Sequence, residues 1–241
     1  MSERIETGAD LLVVENLKAW YGDSRALQRI DLRVRSGQIA TLVGRNGAGK
    51  TTTLRAIMGL VAREGSIRFQ GRELVGLLPD AIARCGIAYC PEERGIFPGL
   101  TTEENLMLPP VLRPGGMSTA EVYSLFPNLH ERRRSMGTRL SGGEQQMLAI
   151  GRILRIGAQL LLLDEPTEGL APIIVEQIGV AIQALKARGF TILLVEQNLD
   201  FAQEISDAFW MIEDGQVVDQ MDRTGVVDEA ALSQFRKHLS L

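Results

Sequence analysis

The sequence predicts an α/β fold in which a mainly parallel β-sheet is covered by helices on both faces. Short apolar strands alternate with helices in the second half of the chain, and a glycine-rich loop near residue 44 joins a buried strand to a helix. Strands connected through helices pair in parallel by right-handed crossovers, which place the helices over both faces of the sheet. The first third of the chain is rich in predicted strands and indicates an N-terminal antiparallel β subdomain.

The order of the predicted elements supports this class. The first part of the chain has strand patterns at residues 12–14, 30–34 and 39–43, a helix at 50–58, a hairpin-like strand at 66–69 and a strand at 87–90. Gln70-Gly71 supplies the turn of the hairpin, and Pro91 ends the last strand because it has no N–H to donate. The second part has strands at residues 160–163, 191–195 and 209–212, with helices at 172–187 and from residue 198.

Residues 101–139 predict a small helical insertion between these two parts. Thr101 and Glu104, and again Ser118 and Glu121, have the spacing of a capping box, in which a hydroxyl and a carboxylate satisfy the open N–H groups of a helix start. We therefore expect a single domain over residues 9–241, preceded by a polar tail at 1–8 and closed by a helical tail at 220–241. The Asp214-Gly215 pair predicts a hairpin turn within it.

Composition excludes several classes of function. The chain has 241 residues, 45% of them hydrophobic, and a formal net charge of −4, which argues against nucleic acid as a partner. The basic run at residues 132–134 lacks interleaved aromatic residues and reads as a solvated face. The first ten residues do not resemble a signal peptide, no apolar run is long enough to cross a bilayer, and we expect a cytosolic chain. Cys85 and Cys90 are the only cysteines and predict small buried side chains.

The segment GRNGAGKTT at residues 44–52 is the strongest chemical signal. It follows the apolar strand Ile39–Val43, so its glycines can turn the backbone N–H groups toward phosphate oxygens while the next helix directs its positive dipole end at the same anion. Lys50 is expected to reach the β- and γ-phosphates, and the Thr51 hydroxyl to ligate Mg²⁺. The alternative is a glycine-rich turn before an ordinary helix. The segment predicts a P-loop NTPase core that binds ATP or GTP.

A second signal is the acidic pair Asp164-Glu165, which follows four consecutive leucines. The leucines suit a strand buried on both faces, and open α/β sheets present ligands at the carboxyl ends of such strands. We expect Asp164 to hold Mg²⁺ and Glu165 to orient and deprotonate the attacking water. An acidic pair that only caps the next helix is the alternative, and the phosphate loop in the same chain argues against it.

A third signal is LSGGEQQ at residues 140–146, ahead of a helical pattern. Ser141 is placed to cap a helix whose first N–H groups are left open by two glycines, which makes a second anion site; taken alone, it could be an ordinary N-cap. One nucleotide could use both anion sites only if they faced each other. A two-fold pair of subunits would instead bring one site of each kind together twice.

The order of phosphate loop, LSGGEQQ and LLLLDEP resembles the ATP-binding cassette (ABC) family over roughly residues 11–240. The resemblance implies the ABC ATPase architecture, with two subunits enclosing two ATP molecules head to tail. It places Tyr21 against adenine, residues 168–171 in a loop that crosses the dimer, and the Ser141 and Gly143 region over the phosphate loop of the other subunit.

Two positions depart from the general family pattern. Glu92 stands where a glutamine usually contacts Mg²⁺ and the water, and Gln197 stands where a histidine usually acts as a switch. Gln197 can donate one hydrogen bond but cannot titrate near neutrality. The complete set of predicted site residues is Lys50, Glu165 and Gln197 for catalysis, Thr51, Asp164 and Glu92 for Mg²⁺, and Tyr21, Gly44, Asn46, Gly47, Gly49, Lys50, Thr51, Thr52, Glu92, Ser141, Gly142, Gly143 and Glu144 for ATP.

These departures, with GLAP at residues 169–172 and FPGLTTEEN at 97–105, resemble an ATPase subunit of bacterial branched-chain amino acid importers. The resemblance implies a peripheral protein on the cytoplasmic face of the inner membrane. Its implied partners are two permease subunits, a second and non-identical ATPase subunit and, indirectly, an extracytoplasmic solute-binding protein. Urea and short-chain amide importers carry similar motifs and stay open as alternatives, as does a soluble cassette ATPase without a permease. A regulator that hydrolyses nothing is opposed by Glu165.

Overall fold

A computed structural model of the chain describes residues 8–222. It contains one ten-stranded sheet with the strand order β5-β4-β1-β2-β10-β9-β3-β8-β7-β6. The strands are β1 (Asp10–Tyr21), β2 (Ser24–Arg35), β3 (Ile39–Val43), β4 (Ala62–Phe69), β5 (Arg72–Glu73), β6 (Ile87–Cys90), β7 (Leu160–Asp164), β8 (Thr191–Glu196), β9 (Ala208–Glu213) and β10 (Gln216–Asp222). The helices are α1 (Lys50–Ile57), α2 (Pro79–Cys85), α3 (Thr102–Met107), α4 (Thr119–Leu125), α5 (Pro127–Glu131), α6 (Gly142–Leu154), α7 (Pro172–Ala187) and α8 (Leu199–Ile205).

The predicted parallel sheet is confirmed for the half that carries the sequence motifs. Strands β9, β3, β8, β7 and β6 are neighbours and all pair in parallel. Strands β1, β2, β4 and β5 pair antiparallel and form the predicted N-terminal arm. One bridge, Gln216 of β10 to Arg29 of β2, joins the two halves. The sheet as a whole is therefore mixed.

Helices cover both faces of the sheet, as the strand–helix alternation predicts. Along β7, Leu160 and Leu162 pack with α1 and α2, whereas Leu161 and Leu163 pack with α6, α7 and α8. Successive side chains of a strand point to opposite faces. Every residue of β7 is buried, because a helical layer lies on each side of it.

The helical insertion contains α3, α4, α5 and a short 3-10 turn. Both predicted capping boxes form: Thr101 caps α3 through Glu104, and Ser118 caps α4 through Glu121. In these boxes each carboxylate accepts a hydrogen bond from the N-cap backbone at 2.8 Å. The insertion packs on α6, which joins it to the rest of the fold.

Some boundaries differ from the sequence expectation. β1 and β2 extend well beyond the predicted segments, because their antiparallel pairing continues to Tyr21 opposite Ser24. Helix α2 is not among the elements that the sequence predicts. The predicted helical tail at 220–241 begins too early, because residues 220–222 belong to β10 and pair with β9. The remainder of that tail, and residues 1–7 of the polar tail predicted at 1–8, lie outside the described residues. Within residues 8–222, no helix is long and apolar enough to cross a membrane.

Candidate functional site

The carboxyl edge of the parallel strands brings the phosphate loop and the acidic pair together. β8 lies between β3 and β7, with Val43 opposite Glu196 and Asp164 opposite Val195. The loops that follow these three strands therefore leave the sheet side by side. Ligands in open α/β sheets bind outside this edge.

The phosphate loop has the backbone that its glycines predict. Gly49, the N-cap of α1, has a φ of 112°, a conformation that side chains rarely adopt. A Cβ at Gly44 would lie 2.3 Å from the carbonyl oxygen of Ile212, so β9 packs directly against the loop. With Gly49 as the N-cap, the open N–H groups of α1 face the loop. This geometry suits a bound anion.

Lys50 lies buried at the centre of the loop, with its side chain only 4% exposed. Its Nζ donates to the carbonyl oxygens of Gly44 at 2.9 Å and Arg45 at 3.2 Å. It also forms an ion pair at 3.2 Å with Glu165, whose side chain is 9% exposed. The lysine charge is thus neutralised within the protein by the predicted general base.

Thr51 and Asp164, two of the predicted Mg²⁺ ligands, are joined by a hydrogen bond. The Thr51 hydroxyl donates to one Asp164 oxygen at 2.9 Å, and the Tyr89 hydroxyl donates to the other at 2.7 Å. Burial raises the pKa of Asp164, and these two hydrogen bonds oppose the increase. A hydroxyl and a carboxylate fit Mg²⁺, which commonly takes one or two protein oxygens together with water and substrate phosphates. Within residues 8–222, no three or more His, Cys, Asp or Glu side chains are grouped as metal ligands. A site with only one or two protein ligands agrees with this finding.

A polar cavity of about 260 Å³ opens beside the phosphate loop. Its lining residues are Asn46, Gly47, Gly49, Lys50, Thr51, Thr52, Glu92, Glu165 and Glu168. Backbone N–H groups and one lysine line it on the loop side, and three carboxylates line it on the other. Nucleotide phosphates and a cation match this distribution of charge.

The loop after β7 is held in an unusual conformation. Glu165 has a φ of 44°, which is rare for a residue with a side chain, and its N–H donates to the carbonyl oxygen of Val195 at 3.0 Å. Such backbone strain persists where the surroundings enforce it, often at functional sites. Glu168 follows in the same loop, and its hydrogen bond to Glu165 raises its pKa.

Tyr21 and Gln197 are predicted site residues that do not line the cavity. Tyr21 is the last residue of β1 and is 45% exposed. The hydroxyl of Tyr89 and, second to it, that of Tyr21 raise the pKa of Arg55 on α1, which places Tyr21 near that helix. Gln197 directly follows β8 and is exposed. Adenine stacking by Tyr21 and a γ-phosphate contact by Gln197 both stay predictions.

The predicted helix start at Ser141 forms, but it does not line the cavity beside the phosphate loop. Ser141 caps α6: its Oγ accepts from the Glu144 N–H at 3.3 Å, and its own N–H donates to the Glu144 carboxylate at 2.7 Å. Gly143 packs so closely on α7 that a Cβ there would lie 2.6 Å from Ile174. None of residues 141–144 lines the cavity beside the phosphate loop. Within one chain, the helix start at Ser141 and the cavity beside the phosphate loop are therefore separate.

The structure adds residues that the sequence patterns missed. Tyr89 binds Asp164, and Glu196 accepts a hydrogen bond from Thr167 at 2.8 Å. Arg152 of α6 donates to the carbonyl oxygens of Arg94 at 2.7 Å and Gly95 at 2.8 Å, which holds the loop that carries Glu92. None of these side chains belongs to a short motif. Only their positions at strand ends or on α6 could have drawn attention to them.

Comparison with known proteins agrees with this geometry. Residues 27–168 match the ABC transporter family. The chain is 44% identical to the high-affinity branched-chain amino acid transport ATP-binding protein BraG of Pseudomonas aeruginosa, with 86% of this chain and 91% of that protein covered. It is 34% identical to the lipopolysaccharide export system ATP-binding protein LptB of Escherichia coli K12, over 86% of this chain and 88% of that protein.

Solved structures show the same fold. The ATP-binding subunit of an ABC transporter superimposes with a TM-score of 0.78 at 29% identity, covering 96% of this chain and all of that chain. A nucleotide-free ATP-binding cassette superimposes with a TM-score of 0.79 at 24% identity, covering 93% and 94%. This chain carries the three motifs within a single fold of this kind, namely the phosphate loop, the acidic pair and the Ser141 helix start. The chain therefore belongs to the ABC transporter family and is one of its ATP-binding cassette ATPases.

Proposed function

We propose that this chain is the ATP-hydrolysing subunit of a membrane importer for branched-chain or similar hydrophobic amino acids. The observation that carries the ATP-hydrolysing part of this proposal is the convergence of Lys50, Thr51, Asp164 and Glu165 at one edge of the sheet. The loop N–H groups and Lys50 would bind the phosphates, and the Glu165 carboxylate would accept the proton of the attacking water.

Thr51 and Asp164, with Glu92 at the rim, are the residues that would hold Mg²⁺. When bound, the ion would neutralise charge on the phosphates. The carboxylates of Glu92, Glu165 and Glu168 otherwise repel an anionic nucleotide, so a cation is needed beside them. Lys50 would exchange its contact with Glu165 for the phosphates, which would free the carboxylate to bind water.

We further propose a head-to-tail pair of cassettes. Ser141 is exposed, Gly142 and Glu144 are partly exposed, and Gly143 is buried. None of these four residues lines the cavity beside the phosphate loop of the same chain. In such a pair, the nucleotide bound by the second cassette would lie against these four residues. The nucleotide bound by this chain would lie against the equivalent helix start of the second cassette. With Gln197 and Glu92 in this chain, a non-identical partner could supply the usual histidine at one of the two sites.

A permease contact is proposed at the helical insertion and at the segment from Glu92 to Leu108. Phe97, Met107 and Leu108 are large apolar side chains that are exposed there. This segment flanks the cavity at Glu92 and continues through α3, so a movement of the permease would reach the nucleotide site. Large apolar side chains left exposed on one segment support a protein interface there.

The amino acid substrate rests on the likeness to BraG, which is stronger than the likeness to LptB. Purification of the tagged chain from its native membrane, followed by mass spectrometry, tests the assembly. We expect two permease subunits, a second cassette and a solute-binding protein. Intact mass that gives two copies of this chain and no other cassette would refute the heterodimer.

Uptake of labelled leucine and labelled urea, in cells that lack this chain, tests the substrate. We expect loss of leucine uptake only, restored by the parent chain but not by Lys50→Ala. Loss of urea uptake alone would favour a urea or short-chain amide importer instead. If neither uptake changed and the chain purified without permeases, a soluble cassette ATPase would be the better description.

A further inference from the structure

Glu196 is a buried carboxylate between two loops of the nucleotide site. It is the last residue of β8 and is 2% exposed. One oxygen accepts the Thr167 hydroxyl hydrogen bond at 2.8 Å, and the other accepts the Asn198 N–H at 3.4 Å. Thr167 lies two residues after Glu165 and is also buried, while Asn198 is the residue after Gln197 and caps α8.

Within residues 8–222, no lysine, arginine or histidine side chain forms an ion pair with Glu196. The loop after β7 contributes Thr167 and the like-charged Glu165, which is itself paired with Lys50. The neighbouring strand β3 presents the apolar Val43 opposite it. An unpaired carboxylate is costly to bury, so its presence at this position calls for a specific role.

We propose that Glu196 is a positioning residue that holds the loop carrying Glu165 in register with position 197. The proposal rests on the proposed ATPase function. Through Thr167 the carboxylate fixes the strained loop after β7, and through Asn198 it fixes the backbone that directly follows Gln197. A single buried side chain thus ties the loop that carries Glu165 to the backbone beside Gln197, the residue that we predict to contact the γ-phosphate.

The ionised and protonated forms of Glu196 differ in what they can hold. The carboxylate accepts both hydrogen bonds, whereas the protonated acid gives up part of its acceptor capacity to its own O–H. Burial, together with the negative charge of Glu165, raises the pKa of Glu196 to about 7, and its hydrogen bonds oppose the increase. Glu196 would therefore make ATP hydrolysis depend on pH near neutrality, although Gln197 cannot titrate there.

The test is steady-state ATP hydrolysis by the assembled transporter between pH 6 and pH 8.5. For Glu196→Gln we expect kcat at pH 8 to fall about tenfold or more, with KM for ATP changed less than twofold, and the rise of kcat through pH 7 to flatten. Misplacement of a reacting group by about 1 Å can produce a loss of this size. Thr167→Val, which removes the hydroxyl, should also lower kcat. Thr167→Ser, which keeps the hydroxyl, should leave kcat close to that of the parent.

Glu64→Gln, which removes an exposed carboxylate on β4, is the matched control and should behave as the parent. Titration of each variant with ATP by calorimetry verifies that it is folded. A kcat and pH profile of Glu196→Gln like those of the parent would overturn the proposal, as would an unchanged kcat in Thr167→Val or a loss confined to KM. Absence of ATP hydrolysis in the parent transporter would instead refute the ATPase function itself.

Discussion

Replacement of Lys50 by methionine should destabilise the nucleotide-free protein as well as abolish ATP turnover. In the structure the ammonium group of Lys50 neutralises the Glu165 carboxylate at 3.2 Å, and both side chains are at most 9% exposed. Methionine is an unbranched side chain only one atom shorter than lysine, and it removes the charge and its hydrogen bonds. The carboxylate would then lie in a largely buried site without a cation.

The size of the effect follows from this burial. Removal of one partner of a buried ion pair typically costs about 3 to 5 kcal/mol, because the other charge is left uncompensated. Glu165 also lines an open cavity, through which water can reach it, so we expect the lower limit of about 3 kcal/mol. For a chain of this length, each 1 kcal/mol shifts Tm by about 2 to 4 °C, and the predicted decrease in Tm is therefore about 6 to 12 °C.

Differential scanning calorimetry of four proteins measures this coupling. These are the parent, Lys50→Met, Glu165→Gln and the double variant. We expect the double variant to recover most of the stability that Lys50→Met loses, since glutamine leaves no charge without a partner. Glu165→Gln alone should bind Mg-ATP several-fold more tightly than the parent, because Lys50 no longer has a competing carboxylate.

Either of two results would refute this reasoning. One is a Tm for Lys50→Met within about 2 °C of the parent, which would mean that the pair is solvated in solution. The other is additive losses in the double variant, which would mean that the two side chains do not interact. Calorimetric titration of Lys50→Met with Mg-ATP gives an independent control, and unchanged affinity would contradict the phosphate-loop assignment.

Three further predictions concern the carboxyl edge of the sheet. Glu165→Gln should keep ATP binding but slow hydrolysis in the assembled complex by roughly 10² or more; a loss below about fivefold would place the base elsewhere. Gln197→His should introduce a new titration between pH 6 and 8 into single-turnover hydrolysis, and an unchanged profile would show that position 197 does not reach the phosphate. The pKa of Glu196 is raised from 4.5 to about 7, so its contribution to stability is present below pH 4.5 and is lost as the pH rises through 7. At about 1.4 kcal/mol per pKa unit, Glu196→Gln should gain about 3 kcal/mol on the parent between pH 4 and pH 8.5. Urea denaturation at both pH values measures this, and a gain below about 1 kcal/mol would contradict it.

The elements that were predicted well are those whose signal is local. Ile39–Val43, Ile87–Cys90 and Pro172–Ala187 have the predicted bounds, because a buried strand needs a continuous apolar run and a helix needs a helical apolar period. The capping boxes of α3 and α4 also form as predicted, since hydroxyl and carboxylate act within one turn. The lengths of β1 and β2 were underestimated, because their pairing partners and not their own residues decide where they end.

For the site, the sequence by itself determined which residues form the phosphate loop, the acidic pair and the capped start of α6. Each is a short motif whose chemistry is complete within a few residues, as for the phosphate-binding glycines and Lys50. Only the tertiary structure decided which groups meet across the sheet. Lys50 pairs with a glutamate more than a hundred residues away, and Glu196 meets Thr167 from a neighbouring strand end. Such contacts depend on strand order and register, which long-range packing sets and no local pattern encodes.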